Sequence, residues 1–383
     1  MPMLPPLQEI LARLVAFPTV SSANPELDQS NLPLIEQLEA WLRPAGFHCE
    51  RVPLDTEQPK ANLVAMLGSG DDGLVLSGHT DTVPCDPALW RSSPWSLQQR
   101  QGRLYGLGTT DMKGFLAVAM ETAAAYRART LQHPLVLLFT ADEESSMLGA
   151  QRLVELGFPR ARYALIGEPT GLRPVHMHKG VGILALEITG RSGHSSTPDA
   201  GRNALDGMRE ALNVLHSWRS DLAQRYRNPA FGVPVPTLNF GRIAGGDNAN
   251  RICGSCELHF DLRTLPAMQW DALQLELQQR LAQVLAGTGL EWQLRPLDVV
   301  IPAFEAPPAS GWVSMLEDLT GHPAEAVAFG SEAPFLQQLG MEVVVCGPGE
   351  LELAHKPDEY VTLDALQRTS ELLHRLIGKV CLA

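Results

Sequence analysis

The feature that most limits how this chain can fold is a series of short, nearly unbroken apolar segments separated by helical ones. Residues 73–78, 135–141 and 163–167 are clear examples. Apolar runs of this length, bounded by glycine, proline or polar residues, are typical of strands buried on both faces. Strands of this kind that alternate with helices form a mostly parallel sheet with helices on both sides. The first part of the chain therefore predicts an α/β domain.

The pattern changes after residue 180. A half-exposed strand over 183–190 precedes a long helix, two strands joined by a Gly-Gly-Asp-Asn turn, a second helix and a strand near 290–295. This β-α-β-β-α-β order is typical of a ferredoxin-like unit. Because the first pattern returns afterwards, we expect a small domain at 181–295, inserted into a larger one formed by 1–180 and 296–383. A length of 383 residues also favours two domains over one core.

Charge and hydropathy exclude several classes of partner. The net charge of −13 argues against nucleic acid, whose binding requires basic surface. No apolar run approaches the ~20 residues that span a bilayer, and the N-terminus lacks the basic and apolar parts of a signal peptide. We therefore expect no membrane partner and a cytoplasmic location. The scattered cysteines, including the pair Cys253 and Cys256, indicate free thiols rather than a zinc knuckle.

A histidine and an aspartate stand two residues apart where the 73–78 strand ends. His79 and Asp81 face the same side of an extended chain, which Pro84 then terminates. A carboxylate beside an imidazole can fix a metal-binding histidine, because it accepts a hydrogen bond from one ring nitrogen while the other nitrogen holds the metal. Taken alone, the pair is equally consistent with the polar end of a strand.

Further metal-ligand candidates stand where other strands and loops end. They are Asp111, Glu143, Glu144, Glu168 and His355. In an open α/β sheet, ligands bind outside the carboxyl ends of the strands, so these side chains can converge with His79. The alternative is that the acids are helix caps and solvated loop charges.

Charge predicts how many metal ions such a cluster holds. Asp111, Glu144 and Glu168 together carry −3, so one divalent ion leaves the cluster negative, whereas two ions and a hydroxide balance it. Mixed histidine and carboxylate ligands suit Zn²⁺, and also Co²⁺ or Mn²⁺. Adjacent Glu143 and Glu144 cannot easily point at one place. One of them can therefore bind metal while the other serves as a general base.

Short motifs along the chain carry a family resemblance. They are SGHTDTVP at 77–84, GLGTTDMKG at 106–114, TADEE at 140–144, GEPT at 167–170, SGHSS at 192–196 and AH at 354–355. Together they resemble the di-zinc amidohydrolases and exopeptidases, a family that includes desuccinylases, aminoacylases and glutamate carboxypeptidases. The resemblance covers essentially the whole chain. It implies a di-zinc exopeptidase-like catalytic domain whose inserted domain is a dimerisation lid, and hence a homodimer.

The resemblance also implies a role for each candidate residue. Two Zn²⁺, for which Co²⁺ can substitute, would share one bridging carboxylate. The metal ligands would be His79 and Glu168 for one ion, Glu144 and His355 for the other, and Asp111 between them, followed by a cis peptide. The catalytic residues would be Glu143 as general base, Asp81 orienting the metal-binding histidine, and His194 stabilising the oxyanion by reaching the partner's site.

The activity implied is hydrolysis of a small N-acyl amino acid. Residues 27–31, 331–335 and 355–360 favour N2-acetyl-L-ornithine, with N-acetylcitrulline or N-succinyl-diaminopimelate as alternatives. A more distant alternative is a non-catalytic metal- or peptide-binding protein of the same fold. The candidate substrate contacts are Asn250, Arg263, Ser331 and Glu332. Two of them have structural alternatives: Arg263 can pair with an acid on its own strand, and Glu332 can be a carboxylate at a helix N-terminus.

Overall fold

The structure is a computed structural model that describes residues 4–297, 299–307 and 309–382. The chain divides into two compact units. The first contains Met1–His176, Ala306–Glu325 and Ser331–Ala383, and the second contains Met177–Glu305 and Ala326–Gly330. The sequence prediction had the inserted segment run from 181 to 295 and did not anticipate that 326–330 belongs to the second unit.

Strands and helices are interspersed along the chain. The strands are β1 (His48–Leu54), β2 (Lys60–Leu67), β3 (Leu74–His79), β4 (Gln98–Arg100), β5 (Arg103–Tyr105), β6 (Leu135–Thr140), β7 (Tyr163–Pro169), β8 (Val175–His178), β9 (Gly180–Thr189), β10 (Thr237–Gly245), β11 (Ser255–Thr264), β12 (Glu291–Pro296), β13 (Phe304–Glu305), β14 (Glu325–Val327), β15 (Glu342–Gly347) and β16 (Tyr360–Thr362). The helices are α1 (Leu7–Ala16), α2 (Leu32–Leu42), α3 (Lys113–Ala124), α4 (Leu148–Leu156), α5 (Ala204–Arg225), α6 (Trp270–Leu285), α7 (Gly311–Thr320), α8 (Ala333–Gln338) and α9 (Leu363–Val380). Within the described residues, every helix is too short or too polar to span a bilayer.

The main sheet of the first unit has the strand order β1-β2-β6-β3-β7-β15. Its four central strands, β6, β3, β7 and β15, run parallel, whereas β1 and β2 are antiparallel additions at one side. The register pairs His79 with Thr140 and Ser77 with Ile166. The carboxyl ends of β3, β6 and β7 therefore meet at one edge, as predicted for a mostly parallel sheet.

Helices cover both faces of this sheet because its strands are apolar on both faces. Along β6, Leu135, Leu137 and Phe139 belong to a core that also contains buried side chains of α1, α3 and α9. The alternate residues Val136 and Leu138 are equally buried, and alternate residues of a strand face opposite sides. On the sheet as a whole, α4 contacts β1 and α8, and α8 contacts β15. This arrangement confirms the predicted α/β class.

The second unit is a four-stranded antiparallel sheet of order β10-β11-β9-β12, packed against α5 and α6. The order β9-α5-β10-β11-α6-β12 is the predicted ferredoxin-like order. Asn203 caps α5 by accepting a hydrogen bond from the Leu205 N–H. β11 begins at Ser255, and the preceding Ile252 lies outside the strand and donates its N–H to the Gly193 carbonyl.

Candidate metal centre

The edge where β3, β6 and β7 end gathers four of the predicted metal-site residues. His79 is the last residue of β3, Glu143 and Glu144 follow β6, and Glu168 lies at the end of β7. Each belongs to a strand end or to the loop that follows it, so the parallel register brings them together. The parallel arrangement of the three strands is therefore enough to bring these four side chains to one edge of the sheet.

Close packing of β7 against α3 helps to place Glu168. The residue before it, Gly167, lies over the ring of Phe115 in α3, and a Cβ added to this glycine would be 2.0 Å from a ring carbon. No larger residue fits without moving β7 away from the helix. Gly167 thus has a packing role in setting the position of Glu168.

Asp111 lies between two histidines. Its Oδ1 is 3.0 Å from Nε2 of His79, and its Oδ2 is 3.3 Å from Nε2 of His355. The same nitrogen of His355 is 2.9 Å from Oε1 of Glu144. A carboxylate whose two oxygens face different imidazoles is arranged to bridge two cations. This geometry supports the bridging role predicted for Asp111, and the Asp111–Met112 peptide bond is cis, as the resemblance implies.

The residues present fit a pair of divalent cations. His79, Glu143 and Glu168 have ligand atoms within 4.8 Å of one another, and so do His79, Asp111 and Glu144. Oε1 of Glu168 is buried with no hydrogen-bond partner among the described residues. Leaving a buried carboxylate oxygen unpaired is costly, and a bound cation removes that cost. Nitrogen and carboxylate ligands together suit zinc or cobalt.

The pKa values of the cluster reflect its concentration of buried carboxylates. Burial, and then the charge of Glu168, raise the pKa of Glu143 well above its usual value. Burial alone would lower the pKa of His79, but its hydrogen bond with Asp111 and nearby carboxylates raise the pKa well above normal. The hydrogen bond with Asp111 is likewise the largest of the effects that raise the pKa of His355 to about 10. These shifts have one physical cause: a buried concentration of negative charge favours bound protons or bound cations.

Asp81 contacts His79 in a different way from the one predicted. Nδ1 of His79 donates to the backbone carbonyl of Asp81 at 3.0 Å, whereas the nearest carboxylate oxygen is 3.7 Å away. The other carboxylate oxygen accepts the backbone N–H of Glu144 at 3.0 Å. The carbonyl therefore fixes the histidine tautomer that leaves Nε2 free for a metal. The Asp81 side chain instead holds the loop that carries Glu144.

Glu359 holds the loop of Asp111, a role that sequence reasoning missed. Its side chain is 2 % exposed. One carboxylate oxygen accepts the N–H groups of Thr110 and Asp111 at 2.7 and 3.1 Å, and the other accepts the N–H of Gly108 at 3.1 Å. The residues before Lys113 form this Glu359-bound turn, and α3 begins at Lys113. The one available signal was that Glu359 lies in the 355–360 segment quoted for the resemblance.

Glu359→Gln is expected to weaken metal binding by about 10–100-fold, the usual cost of altering a group that orients a ligand. The amide oxygen can replace one carboxylate oxygen, but the amide N–H₂ faces a backbone donor and cannot accept from it. Metal titration followed by atomic emission measures the change. The exposed Glu57→Gln is the matched control. Unchanged metal affinity in Glu359→Gln would remove Glu359 from this role.

Three predicted residues lie in the second unit. His194 and Asn250 are exposed, and their segments are joined by a 3.0 Å hydrogen bond from the Ser195 N–H to the Asn250 carbonyl. Arg263 donates its Nε–H to both carboxylate oxygens of Asp261, at 3.0 and 3.1 Å. Arg263 therefore makes the ion pair with an acid of its own strand that the sequence analysis gave as its structural alternative. The roles of His194, Asn250 and Arg263 in binding substrate or the oxyanion stay predictions.

Ser331 and Glu332, the other two predicted substrate contacts, are buried in the structure, and their contact with substrate stays a prediction. Ser331 is fully buried and its Oγ accepts the N–H of Ala333 at 3.2 Å. Glu332 is 1 % exposed and accepts a 3.3 Å hydrogen bond from the hydroxyl of Ser77. Burial raises the pKa of Glu332 to about 7. Glu332 lies at the N-terminus of α8, which is the structural alternative given for it in the sequence analysis.

Comparison with known sequences places the chain in a family. A model of peptidase family M20/M25/M40 matches residues 75–379. The chain belongs to this family. It is 45 % identical over 378 residues to acetylornithine deacetylase of Pasteurella multocida (strain Pm70), with 99 % of each chain covered. It is 44 % identical over 380 residues to acetylornithine deacetylase of Proteus mirabilis (strain HI4320), with 99 % of this chain and 98 % of the relative covered.

Solved structures of the M20 family share the fold. The metallo-carboxypeptidase Sso-CP2 from Sulfolobus solfataricus has a TM-score of 0.74 at 16 % identity, with 98 % of this chain and 99 % of that one covered. The YXEP protein of Bacillus subtilis, a dinuclear metal-binding peptidase, has a TM-score of 0.65 at 16 % identity, covering 97 % and 96 %. With its family and its metal-ligand groups together, the chain is a metal-dependent amidohydrolase.

Proposed function

We propose that this M20 family member hydrolyses N2-acetyl-L-ornithine to L-ornithine and acetate. The observation that carries the hydrolytic chemistry is the position of Asp111 between two histidines, with Glu143 beside the same cluster. The substrate proposal rests on the relatives named acetylornithine deacetylase, which are 42–45 % identical along nearly the full chain. Those relatives also favour this substrate over N-acetylcitrulline and N-succinyl-diaminopimelate.

The proposed metal ligands are those that the family resemblance implies, and the distances within the cluster support them. His79 and Glu168 would hold one ion, Glu144 and His355 the other, and Asp111 would contact both. We propose zinc as the ion, with cobalt as a substitute. Bound divalent ions supply Lewis-acid activation of water and of an acyl carbonyl at neutral pH.

Glu143 carries the proton in the proposed reaction. Its carboxylate takes a proton from the attacking water as the new bond to the acyl carbon forms. It then gives that proton to the amide nitrogen, which leaves as the free amine when the carbon–nitrogen bond breaks. Burial and the charge of Glu168 raise the pKa of Glu143. Glutamate is one of the residue types that transfer protons as general acid–base groups, provided that it lies within hydrogen-bond reach of the reacting atoms.

The second unit completes the proposal. We infer that His194 stabilises the oxyanion of the tetrahedral intermediate as an exposed imidazole donor. Asn250, whose segment is hydrogen-bonded to that of His194, is proposed to bind the substrate carboxylate. The same unit is proposed to form a homodimer interface. Light scattering of the purified protein tests the dimer separately from the chemistry.

Amine release from three substrates tests the proposed function. Zinc- or cobalt-loaded protein is compared on N2-acetyl-L-ornithine, N-acetylcitrulline and N-succinyl-diaminopimelate, with chelator-treated protein as the control. We expect the highest kcat/KM on N2-acetyl-L-ornithine and no turnover after chelation. Preference for another acyl amino acid would keep the hydrolytic site and overturn the substrate. Bound metal with no turnover on any of the three would favour the binding-protein alternative.

A further inference from the structure

A buried lysine joins two loops beside the metal centre. Lys60, at the start of β2, has a side chain that is 3 % exposed, and its ammonium donates to Oδ1 of Asp28 at 2.6 Å and Oδ1 of Asp142 at 2.5 Å. Lys113 and Lys179, which are also buried in the described chain, donate to backbone carbonyls instead. Lys60 alone among these three therefore links two carboxylates.

Asp142 lies near the start of the loop between β6 and α4, which carries Glu143 and Glu144. Asp142 directly precedes Glu143 and Glu144, and its φ of 61° lies in the left-handed region that non-glycine residues seldom adopt. A backbone in this region persists only where its surroundings hold it. The ion pair with Lys60 is one such contact. The N–H groups of Ser146 and Met147 add hydrogen bonds to the Asp142 carbonyl at 3.1 and 2.7 Å.

The conformation of this loop decides where the two glutamates point. Glu143 lies with His79 and Glu168, whereas Glu144 lies with His79 and Asp111. Adjacent side chains reach different groups only if the backbone between β6 and α4 keeps one shape. A shift of about 1 Å in a group that must meet a reacting atom can cost about 100-fold in rate. The contact that fixes Asp142 is therefore well placed to affect Glu143.

The Asp28 side of the link is itself anchored. Asp28 Oδ1 also accepts the Ser22 N–H at 3.1 Å. Three residues later, the amide nitrogen of Asn31 donates to the Ala61 carbonyl and the Thr80 hydroxyl, both at 2.9 Å. The 27–31 motif, to which the proposed function gives no task, thus fastens the N-terminal loop to β2 and to the residue after His79.

We propose that Lys60 is a positioning residue, which with Asp28 holds Asp142 and through it aims Glu143 at the attacking water. Lys60 does not touch substrate or metal in this scheme. The proposal rests on the proposed function, because it takes Glu143 as the proton carrier. It assigns a role to a buried charge that the metal centre itself does not use.

Lys60→Met removes both ion pairs and tests the proposal directly. We expect kcat on N2-acetyl-L-ornithine to fall about 100-fold, with KM changed less than about threefold and metal content unchanged. Lys60→Arg keeps the charge and two donors, so it should recover most of the rate. Lys379→Met, on the exposed side of α9, is the matched control and should behave as the parent. Unchanged kcat in folded, metal-loaded Lys60→Met would overturn the proposal.

A double substitution separates positioning from general damage. If Lys60 acts through Glu143, adding Lys60→Met to Glu143→Gln should lower the residual turnover no further. If the fold-loss in kcat of the double variant equals the product of the two single fold-losses, the proposal is overturned. Near-normal turnover of Glu143→Gln alone would instead overturn the base role in the proposed function. If Lys60→Met does not fold, Asp28→Asn replaces it in the same comparison with Glu143→Gln. Asp28→Asn alone is expected to lower kcat about tenfold. If that loss also multiplies with the loss in Glu143→Gln, the proposal is overturned.

Discussion

Replacing Glu143 with glutamine is expected to lower kcat by about 10³-fold, within the range of 10²–10⁴ for a lost general acid–base group. The amide has the shape of the carboxylate but cannot accept the proton of the attacking water. A 10³-fold loss corresponds to about 4 kcal/mol of activation free energy. KM and metal content should stay near the parent values, because glutamine fills the same space. Steady-state kinetics on N2-acetyl-L-ornithine and atomic emission give the three quantities.

Two results would contradict this expectation in different ways. Near-normal turnover with metal bound would remove Glu143 from the base role. Loss of metal together with activity would make Glu143 a ligand, a role for which its position within 4.8 Å of His79 and Glu168 is also suitable. The exposed Glu57→Gln, which changes the same functional group away from the cluster, should match the parent in both measurements.

Asp111→Asn is expected to cost at least as much in kcat, about 10³-fold or more, and to lower the bound metal from two ions per chain. Asparagine is neutral and presents one ligating oxygen, so it cannot serve both metal positions. The substitution also removes one negative charge from the cluster that balances the ions. Metal content per chain and kcat on N2-acetyl-L-ornithine are the readouts. Two ions bound with parent affinity would rule out a bridging Asp111.

Thermal stability provides a readout for Asp111→Asn that is independent of activity. A metal present at about 1,000 times its Kd stabilises the native chain by about 4 kcal/mol if it does not bind the unfolded chain. We therefore expect added zinc to raise the Tm of the parent clearly and that of Asp111→Asn much less. Asp318→Asn, an exposed change of the same type on α7, should respond to zinc like the parent.

The strands and the acids at their ends could be predicted because both depend on local patterns. The apolar run before His79 predicts a strand, and the parallel-sheet rule then predicts which edge carries His79 and Glu168. Glu359 has no comparable signal. It accepts a hydrogen bond from the Asp111 N–H across 248 residues of chain, and no spacing in the sequence indicates that a carboxylate will bond backbone groups so far away.

The surroundings of a charged side chain are harder to predict than its position along the chain. Residue type indicates that Glu332 and Arg263 carry charge, but it does not indicate whether that charge faces solvent, another side chain or a substrate. The fold buries Glu332 against Ser77 and pairs Arg263 with its neighbour Asp261. Likewise, the spacing of His79 and Asp81 predicted their contact but not that the backbone carbonyl would make it.

The distance along the chain between Glu144 and His355 has a consequence for biosynthesis. The two side chains meet across 211 residues, so the ribosome delivers the acids of the cluster long before the histidine that joins them. Closing so long a loop costs entropy, and metal binding returns free energy only once its ligands are together. If the proposed ligands are correct, metal uptake by Glu144 and His355 would therefore report that synthesis has passed residue 355. A fragment that ends earlier carries the acidic cluster without His355.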